Sequence, residues 1–478
     1  MAEHRAWAEV DLAAVGANLD LLRRGLARGT RILVVVKADA YGHGAVPVAR
    51  TVLQHGASML GVGDSTEALE LRNAGIEAPI LILGSIVDGE MEQVIAHHIT
   101  PCLHSAKKAL VLAAMAEAMG SRLTVHLKVD TGMGRLGVMP SAAVDVARAI
   151  QDHPSLQLEG ICTHLAEADI PDDPFTARQI EAFNRAVAEV EAVTGPIPLK
   201  HAASSAGLQN YPASHFNMVR PGISVYGLQA RPRAGAPPLR PALSLKTQVV
   251  YLKDLPEGSP VGYARTWVTP RPTRIAILPL GYNDGYSFLF SNKAQVLIRG
   301  RRAPVVGRVT MDYTTVDVTE IPGVEVGEEA VLIGRQGPEH IPVEELARLK
   351  GTIPYEITCT LGRRIRRVYL AVVTGRLEPL EGEIHLPVGR SRMDRQKECA
   401  MSSPSGSKSD NTSTISFSLP LFWNRRNISR RGGREQYPRP RVSGMQYSIA
   451  TGLIVPASVL FSPMISTWFG CDCMRSRQ

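Results

Sequence analysis

A lysine stands at the end of a strongly apolar run in the segment VVVKADAYGHG. A run of the form ILVVV is typical of a strand that is buried on both faces of a parallel sheet. An ammonium group held in a buried site loses its proton more readily, so Lys37 could become an amine able to form a Schiff base. Many lysines at strand ends are only solvated, and the flanking segments must decide between the two interpretations.

The cofactor that most often uses such a lysine is pyridoxal phosphate, which needs a phosphate site and a partner for its ring nitrogen. Two loops, HAASSAG and VRPGISVYG, suit an anion. Ser204 and Ser205 offer hydroxyls, and Gly222 lets the backbone approach, so that the amides of Gly222 and Ile223 can point at phosphate oxygens. Serine and glycine also make ordinary turns, and either loop alone leaves that alternative open.

The elements that must position these residues are short apolar runs alternating with amphipathic stretches such as STEALELRNAG. There are eight such runs: RILVVV, SMLGVG, PILILG, ITPCL, LTVHLKV, LEGICTH, PLKHAA and FNMVRP. Strands that alternate with helices of this length predict an α/β fold and a closed (β/α)8 barrel, with an open doubly wound sheet as the alternative. Lys37 and both anion-binding loops would then meet at the carboxyl ends of the barrel strands.

The pattern changes near residue 240, after the stretch RPRAGAPPLRP. The following runs, which include LSLKTQVVYLKDL, RIAILPLGY and EEAVLIGR, are rich in strand signals and almost free of helix signals. We therefore predict a barrel domain over residues 1–240 and a β domain over residues 241–375, to which the N-terminal segment WAEVDL could add a strand.

Residues 376–478 have no period that could bury a face, and we predict that they are disordered or a non-native extension. Their last uncharged stretch contains two prolines and many Ser and Thr residues, so a membrane anchor is not expected. Residues 390–478 hold 14 Lys and Arg against 5 Asp and Glu, while the whole chain has a net charge of +8. The body is therefore close to neutral, which argues against a nucleic-acid-binding fold.

The six cysteines show no spacing typical of a disulfide framework, and the first ten residues carry charges where a signal peptide needs an apolar run. A reducing cytoplasm is the expected location. No metal site is predicted.

Seven segments together resemble the bacterial alanine racemases, which are pyridoxal-phosphate enzymes built from a barrel and a β domain. The segments are VVVKADAYGHG, VDTGMGRLG, CTHLAEAD, NMVRPGISVYG, VGYARTW, GRVTMDYTTVDV and IPYEITCTLGRRIRR. They stand in the family's order and spacing, and the resemblance covers about residues 5–370. It implies interconversion of L-alanine and D-alanine, a supply of D-alanine for peptidoglycan, and a homodimer with shared active sites.

The resemblance implies two catalytic bases, Lys37 for the D-alanine proton and Tyr263 for the L-alanine proton. His164 matches the histidine that hydrogen-bonds this tyrosine, although a lone histidine at a strand end often has only a structural hydrogen bond. Arg220 matches the arginine that faces the pyridine nitrogen. Since arginine stays protonated, it can donate to that nitrogen but does not readily protonate it.

The remaining matches concern the phosphate and the substrate. Tyr41 and Tyr355, with Ser205 of the first loop, match residues that reach the phosphate. Arg135 matches the arginine near the substrate carboxylate, where a planar donor fork suits an anion. Lys128 matches a lysine that some family members carry as a carbamate, and an ordinary salt-bridged lysine is the alternative.

Met311 and Asp312 match a loop that contacts the substrate carboxylate and lines the entrance. In the family these residues and Tyr263 reach the barrel of the other subunit, so a monomer would lack its second base.

Three other functions share parts of this pattern. A non-catalytic pyridoxal-phosphate carrier would lack the β domain, and a basic amino-acid decarboxylase would have an acidic partner for the ring nitrogen where this chain has Arg220. A racemase of broader specificity is the closest alternative, and a preference for serine stays open.

Overall fold

A computed structural model describes residues 4–229, residues 238–372 and three strands farther along the chain, which divides into two compact units, residues 1–370 and 371–478. Strand β1 (Ala6–Asp11) and helix α1 (Leu12–Arg24) begin the first unit. Asp11 caps α1, since its carboxylate accepts a hydrogen bond from the amide of Ala14 at 2.9 Å.

Eight parallel strands then form a barrel. They are β2 (Arg31–Val35), β3 (Met59–Val62), β4 (Ile80–Ile82), β5 (Thr100–Leu103), β6 (Leu123–Lys128), β7 (Leu156–Cys162), β8 (Leu199–His201) and β9 (Met218–Val219). Each overlaps one of the eight apolar runs, and the predicted (β/α)8 barrel is confirmed. Strands β2 to β8 pair in chain order, and β9 pairs with β2. The two ends of this order, β8 and β9, are joined by hydrogen bonds of their flanking residues, so the sheet curves into a barrel and the open-sheet alternative is wrong.

The junction between β8 and β9 has hydrogen bonds other than a regular ladder. The amide of Arg220 donates to the carbonyl of Ala203 at 2.8 Å, and the amide of Lys200 donates to the side chain of Asn217 at 2.7 Å. The barrel is therefore nearly closed at the place where the two predicted anion-binding loops begin.

Helical segments follow the barrel strands, and the longer ones cover the outside of the barrel and bury the second face of its strands. The segments are α2 (Lys37–Gly42), whose backbone is left-handed from Ala38 to Tyr41, α3 (Ala45–Gln54), α4 (Ser65–Asn73), α5 (Met91–Ala96), α6 (Ala106–Ala118), α7 (Ala143–Gln151), α8 (Pro174–Thr194) and α9 (Ser205–Asn210). Helix α7 shows the pattern, because its buried residues recur every three or four positions: Ala143, Val146, Ala147 and Ile150.

The β domain follows the barrel. Its strands are β10 (Leu243–Gln248), β11 (Tyr251–Leu255), β12 (Pro260–Val261), β13 (Trp267–Val268), β14 (Thr273–Leu278), β15 (Gln295–Ile298), β16 (Arg301–Pro304), β17 (Thr314–Asp317), β18 (Glu329–Gln336), β19 (Glu339–Ile341) and β20 (Arg366–Val372). Helices α10 (Val343–Lys350) and α11 (Pro354–Cys359) precede β20. The predicted β-rich domain is confirmed.

Strand β1 belongs to the main sheet of the β domain, in the order β16-β15-β18-β10-β1-β20. It pairs antiparallel with β10 and parallel with β20, as expected for the WAEVDL segment. Strands β11, β14 and β17 form a second sheet. Apolar side chains of the barrel, such as Val34, and of the β domain, such as Val296, belong to one buried cluster, so the two domains pack against each other.

In the second unit the structure describes strands β21 (Glu381–Pro387), β22 (Thr412–Ser418) and β23 (Ile454–Ala457), of which β21 and β22 pair antiparallel. The expectation for residues 376–478 falls mostly outside the described residues and stays a prediction. Within the described part of the chain, every helix is too short or too polar to span a membrane.

Candidate active site

A cavity of about 620 Å³ opens at the carboxyl ends of the barrel strands. Four basic side chains line it, those of Lys37, Lys128, Arg135 and Arg220, and its lining contains no aspartate or glutamate. A cavity with this excess of positive charge suits an anionic ligand.

The segment after Lys37 forms a turn of unusual hand. Lys37 lies two residues after the end of β2, and the next four residues, Ala38 to Tyr41, have φ angles of 52° to 53°, in the left-handed region. Each such residue other than glycine costs roughly 1–2 kcal/mol, so other contacts must hold the turn. The carboxylate of Glu67 accepts from the amide of Ala38 at 2.7 Å. The ring of His43 lies 3.0 Å from two carbonyl oxygens of the turn.

The environment of Lys37 favours its neutral amine. Its side chain lines the cavity and is exposed there, while the neighbouring protein removes part of its hydration. Burial, followed by the positive charges of Arg135 and Lys128, lowers the pKa of Lys37, and the carboxylate of Glu67 acts in the opposite direction. A lysine with a lowered pKa is a better nucleophile and base near neutral pH.

A group of hydroxyls and amides lines the cavity on the side of α9. The Ser205 hydroxyl accepts from the amides of Gly222 at 2.9 Å and Ser224 at 3.3 Å, and Ile223 lines the cavity between them. A Cβ atom added at Gly222 would lie 2.8 Å from the Tyr41 hydroxyl. The absence of a side chain therefore leaves a space bordered by backbone amides, a serine and a tyrosine, which fits a phosphate group.

Two tyrosines from different domains meet at this end of the cavity. The rings of Tyr41 and Tyr355 lie 5.8 Å apart, edge to face. Burial raises the pKa of both phenols, that of Tyr355 to about 12, so both hydroxyls stay protonated and can donate hydrogen bonds.

Arg220 lies at the bottom of the cavity, where it is 5% exposed. Its guanidinium donates to the carbonyls of Thr163 at 2.8 Å and Ala202 at 3.0 Å, and to the rings of His201 at 2.8 Å and His164 at 3.3 Å. All four acceptors are neutral groups, and burial lowers the pKa of Arg220. The side chain is therefore held in place as a buried cationic donor.

His164 is neutral and its tautomer is determined by Arg220. Burial, and then the positive charge of Arg220, lowers the pKa of His164 to about 3. Because the guanidinium can only donate, Nδ1 of His164 must accept, and the proton of the neutral ring resides on Nε2. His164 therefore presents an N–H donor.

Arg135 is carried by a loop organised around one carboxylate. The side chain of Asp130 accepts hydrogen bonds from four successive backbone amides, those of residues 132–135, at 2.8 to 3.1 Å. Burial alone would raise the pKa of Asp130, but these four donors lower it. Lys128, at the end of β6, donates to the carbonyl of Leu83 at 3.0 Å.

Three predicted site residues lie apart from this cavity. Tyr263, Met311 and Asp312 are not among the side chains that line it. The side chains of Tyr263 and Met311 are 73% and 53% exposed, respectively, and Asp312 forms an ion pair with Arg364 at 2.7 Å. Within one chain, the tyrosine predicted as a base is therefore separate from Lys37.

Sequence reasoning missed Cys359, Glu67 and Asp130. Cys359 lines the cavity and follows Tyr355 by four positions on α11, so helical spacing could have found it. Asp130, which precedes a glycine-rich turn, is in a position typical of a residue that accepts from turn amides. Nothing in the local sequence indicates that Glu67 supports the turn after Lys37.

The chain matches two family models, the alanine racemase N-terminal domain over residues 10–230 and the alanine racemase C-terminal domain over residues 242–369. It is 46% identical to the alanine racemase of Symbiobacterium thermophilum over 364 residues, which cover 76% of this chain and 96% of that protein. The alanine racemase of Halothermothrix orenii is 41% identical over 370 residues, which cover 77% of this chain and 98% of that protein.

Solved structures agree with these matches. The alanine racemase of Streptomyces lavendulae superimposes with a TM-score of 0.74 at 35% identity, covering 78% of this chain and 99% of that one. The alanine racemase of Bartonella henselae, which carries covalently bound pyridoxal phosphate, has a TM-score of 0.69 at 30% identity and covers 76% of this chain and 99% of that one. With both domains matched along nearly their whole length, the chain belongs to the alanine racemase family, the pyridoxal-phosphate isomerases that interconvert L-alanine and D-alanine.

Proposed function

We propose that this protein interconverts L-alanine and D-alanine with pyridoxal 5'-phosphate bound in the cavity, and that Lys37 and Tyr263 act as the two bases. The observation that carries the assignment is the meeting of a lysine of lowered pKa with Arg135, Arg220 and a group of hydroxyls and amides around Ser205 in one cavity.

The residues present fit the cofactor. Ser205, Tyr41, Tyr355 and the amides of Gly222 and Ile223 would bind the phosphate, because they offer neutral donors around the space that a Cβ at Gly222 would fill. When bound, pyridoxal phosphate withdraws electrons from the Cα–H bond of an amino acid linked to it, which makes the α-proton acidic.

Lys37 would hold the cofactor through its amine and, once released by the substrate, serve as the base on one face. Its lowered pKa supports both roles, because the neutral amine is the form that attacks a carbonyl and accepts a proton. By resemblance to the family, Lys37 handles the proton of D-alanine.

Tyr263 of the partner subunit would supply the second base. The exposure of Tyr263 and its absence from the lining of the cavity in its own chain support a homodimer in which each β domain completes the other subunit's site. An ordinary tyrosine, with a pKa of about 10, is a weak base near neutral pH. The neutral His164 would favour the phenolate form of Tyr263, since its Nε2–H can donate a hydrogen bond to the phenolate without protonating it.

Arg220 would face the ring nitrogen of the cofactor. It donates a hydrogen bond but does not readily give up a proton, so the ring nitrogen stays unprotonated and withdraws electrons less strongly. We infer that this restricts the site to proton exchange and limits side reactions such as transamination.

Arg135 would bind the substrate carboxylate with its planar donor fork. Met311 and Asp312 of the partner subunit would complete this end of the site and line the entrance. We further propose that the enzyme works in the cytoplasm and supplies D-alanine for peptidoglycan.

A substrate panel tests the function. Purified holoenzyme with added pyridoxal phosphate should convert L-alanine to D-alanine and act more slowly on L-serine, as measured by chiral chromatography. Lys37→Ala should lose the visible absorption band of the lysine-bound cofactor together with activity. Faster conversion of serine than of alanine would show that serine is the preferred substrate. An unchanged absorption band in Lys37→Ala would contradict the assignment of Lys37 as the cofactor-binding lysine.

A further inference from the structure

A row of buried polar side chains runs through the barrel interior, away from the cavity. Nη1 of Arg220 lies 2.8 Å from Nδ1 of His201, and Nε2 of His201 lies 2.8 Å from Nδ1 of His126. Nε2 of His126 lies 3.3 Å from the carboxylate of Glu159. Both histidines are fully buried, whereas the Glu159 side chain is 26% exposed.

The groups at the two ends of this row determine which nitrogen of each histidine carries the proton. Arg220 can only donate, so Nδ1 of His201 accepts and the His201 proton is on Nε2. That proton points at Nδ1 of His126, which must accept, so the His126 proton is also on Nε2. It points at Glu159, and the hydrogen bond from His126 lowers the pKa of Glu159, against the effect of burial. The ionised Glu159 at one end and the cationic Arg220 at the other thus favour the same tautomer, protonated on Nε2, in both rings.

The barrel is built to accommodate this row. Strand β7 bulges at Glu159, because Val125 of β6 pairs with Leu158 while the next residue of β6, His126, pairs with Gly160. Bulges often redirect a side chain near an active site, and this one leaves Glu159 without a cross-strand partner. A Cβ atom at Gly160 would lie only 2.5 to 2.7 Å from three ring atoms of His126, so the glycine leaves room for the imidazole.

We propose that Glu159 and His126 are positioning residues for the racemase reaction, which act on the cofactor through the tautomer of His201 and the orientation of Arg220. This inference rests on the proposed place of Arg220 at the ring nitrogen. If Nδ1 of His201 carried the proton, it would oppose the N–H of Arg220, and the guanidinium would turn away from its position. Glu159 acts with Arg220 against this tautomer, because reversing both rings would leave Nε2 of His126 without a proton to donate to the carboxylate. Glu159 does so from outside the lining of the cavity.

The first test is ¹⁵N NMR of holoenzyme labelled in histidine, with signals assigned by substitution of each ring. His126 and His201 should both be protonated on Nε2 and unprotonated on Nδ1. A proton on Nδ1 of either ring would overturn the proposal whether or not the protein racemises alanine, so this result is distinguishable from a failure of the proposed function.

The second test uses three variants. Glu159→Leu removes the acceptor and should mix the tautomers of His126 and His201, shift the absorption band of the bound cofactor, and lower kcat by about tenfold, in the range typical of lost supporting hydrogen bonds around a site. The KM for alanine should change by less than about twofold, because the substrate carboxylate is bound elsewhere. Glu159→Gln keeps an acceptor oxygen, so His126 and His201 should each remain protonated on Nε2, with kcat within about threefold of the wild type.

Glu181→Gln is the matched control, since the carboxylate of Glu181 forms only an exposed pair with Arg185 on α8. It should change none of these quantities. A folded Glu159→Leu enzyme with wild-type tautomers, band and kcat would show that the row only satisfies buried groups. Reversed tautomers in Glu159→Gln would equally contradict the proposal, and that variant is near enough in shape to fold even where the leucine does not.

Discussion

The site moves the pKa values of ordinary side chains in the directions that its chemistry needs. Positive charges and burial lower the pKa values of Lys37 and His164, while burial raises those of Tyr41 and Tyr355. The first two shifts provide a neutral amine and a neutral N–H donor. The other two keep hydroxyls protonated as donors for an anion. In this cavity the environment of each side chain, rather than its residue type alone, therefore decides which group acts as a base and which groups act as hydrogen-bond donors.

Replacing Tyr263, the proposed second base, should affect proton exchange of the two alanine enantiomers differently. Tyr263→Phe should still bind the cofactor, but racemisation in both directions should fall by about 10²- to 10⁴-fold, as is typical for a lost acid-base group. Because Lys37 remains, D-alanine should still exchange its α-proton with deuterated solvent without inversion, while L-alanine should exchange far more slowly. Mass spectrometry of each recovered enantiomer measures this, and equal exchange from both would mean that a single base serves both faces.

The histidine that supports the left-handed turn makes stability depend on pH. Burial lowers the pKa of His43 to about 4, whereas an unfolded histidine titrates near 6.5. Below pH 6.5 the unfolded state binds the proton first, so the free energy of unfolding should fall by about 2 kcal/mol between pH 7 and pH 5 from this group. His164 adds a change of the same sign.

Urea unfolding at both pH values measures the change. His43→Asn places an N–H donor at the position of Nδ1 for the two carbonyls but does not titrate, so its stability should fall less than that of the wild type. An equal loss in the variant and the wild type would show that His43 does not cause it.

At the scale of elements, the phosphate site depends on two loops approaching without a side chain between them. The loop after β9 brings Gly222 against Tyr41, which belongs to the turn after β2. A methyl group there would push the Tyr41 hydroxyl aside, and Gly222 has no positive φ that would itself strain an alanine. The geometry of this contact, rather than backbone conformation, makes glycine necessary.

Gly222→Ala should therefore weaken cofactor binding while the protein stays folded. Overpacking typically costs about 1–3 kcal/mol, which corresponds to about a five- to 150-fold rise in the Kd for pyridoxal phosphate. Fluorescence titration of the apoenzyme measures it. Gly89→Ala is the control, because a Cβ at Gly89 would meet no atom within 4 Å. Equal affinity of the two variants would remove Gly222 from the phosphate site.

At the scale of the whole molecule, the β domain exposes several large apolar side chains, among them two of its predicted site residues. Besides Tyr263 and Met311, the exposed residues include Phe288, Leu289 and Tyr313. Such side chains are costly to leave in water and are typical of a surface that another subunit covers. Their exposure agrees with a homodimer that shares its active sites.

Mixing two inactive variants tests the shared site. Lys37→Ala and Tyr263→Phe subunits, unfolded together and refolded in equal amounts, should form mixed dimers in which one of the two sites has both bases. Since half of the dimers are mixed, about a quarter of the wild-type activity should return. If both bases came from one chain, the mixture would stay as inactive as its components, and that result would exclude the shared site.

The sequence by itself determined the architecture and most of the cavity. Eight apolar runs at regular intervals predict the barrel, because burial on both faces of a parallel strand leaves a pattern that is local in the chain. Lys37, Ser205 and Gly222 lie within four positions of the ends of such strands, and strand ends share one face of a barrel. These positions could be predicted because each depends on its own neighbours in the sequence.

Only the tertiary structure decided which distant groups support them. Gly42 of the left-handed turn accepts a hydrogen bond from Arg367, which is 325 positions away, and His201, His126 and Glu159 lie on three different strands. Such contacts have no periodicity, because they arise where strands and domains meet after folding. For the same reason the sequence motif identifies Tyr263 as a candidate base but does not give its position relative to the cavity. The separation of Tyr263 from Lys37 within one chain follows from the packing of the β domain on the barrel.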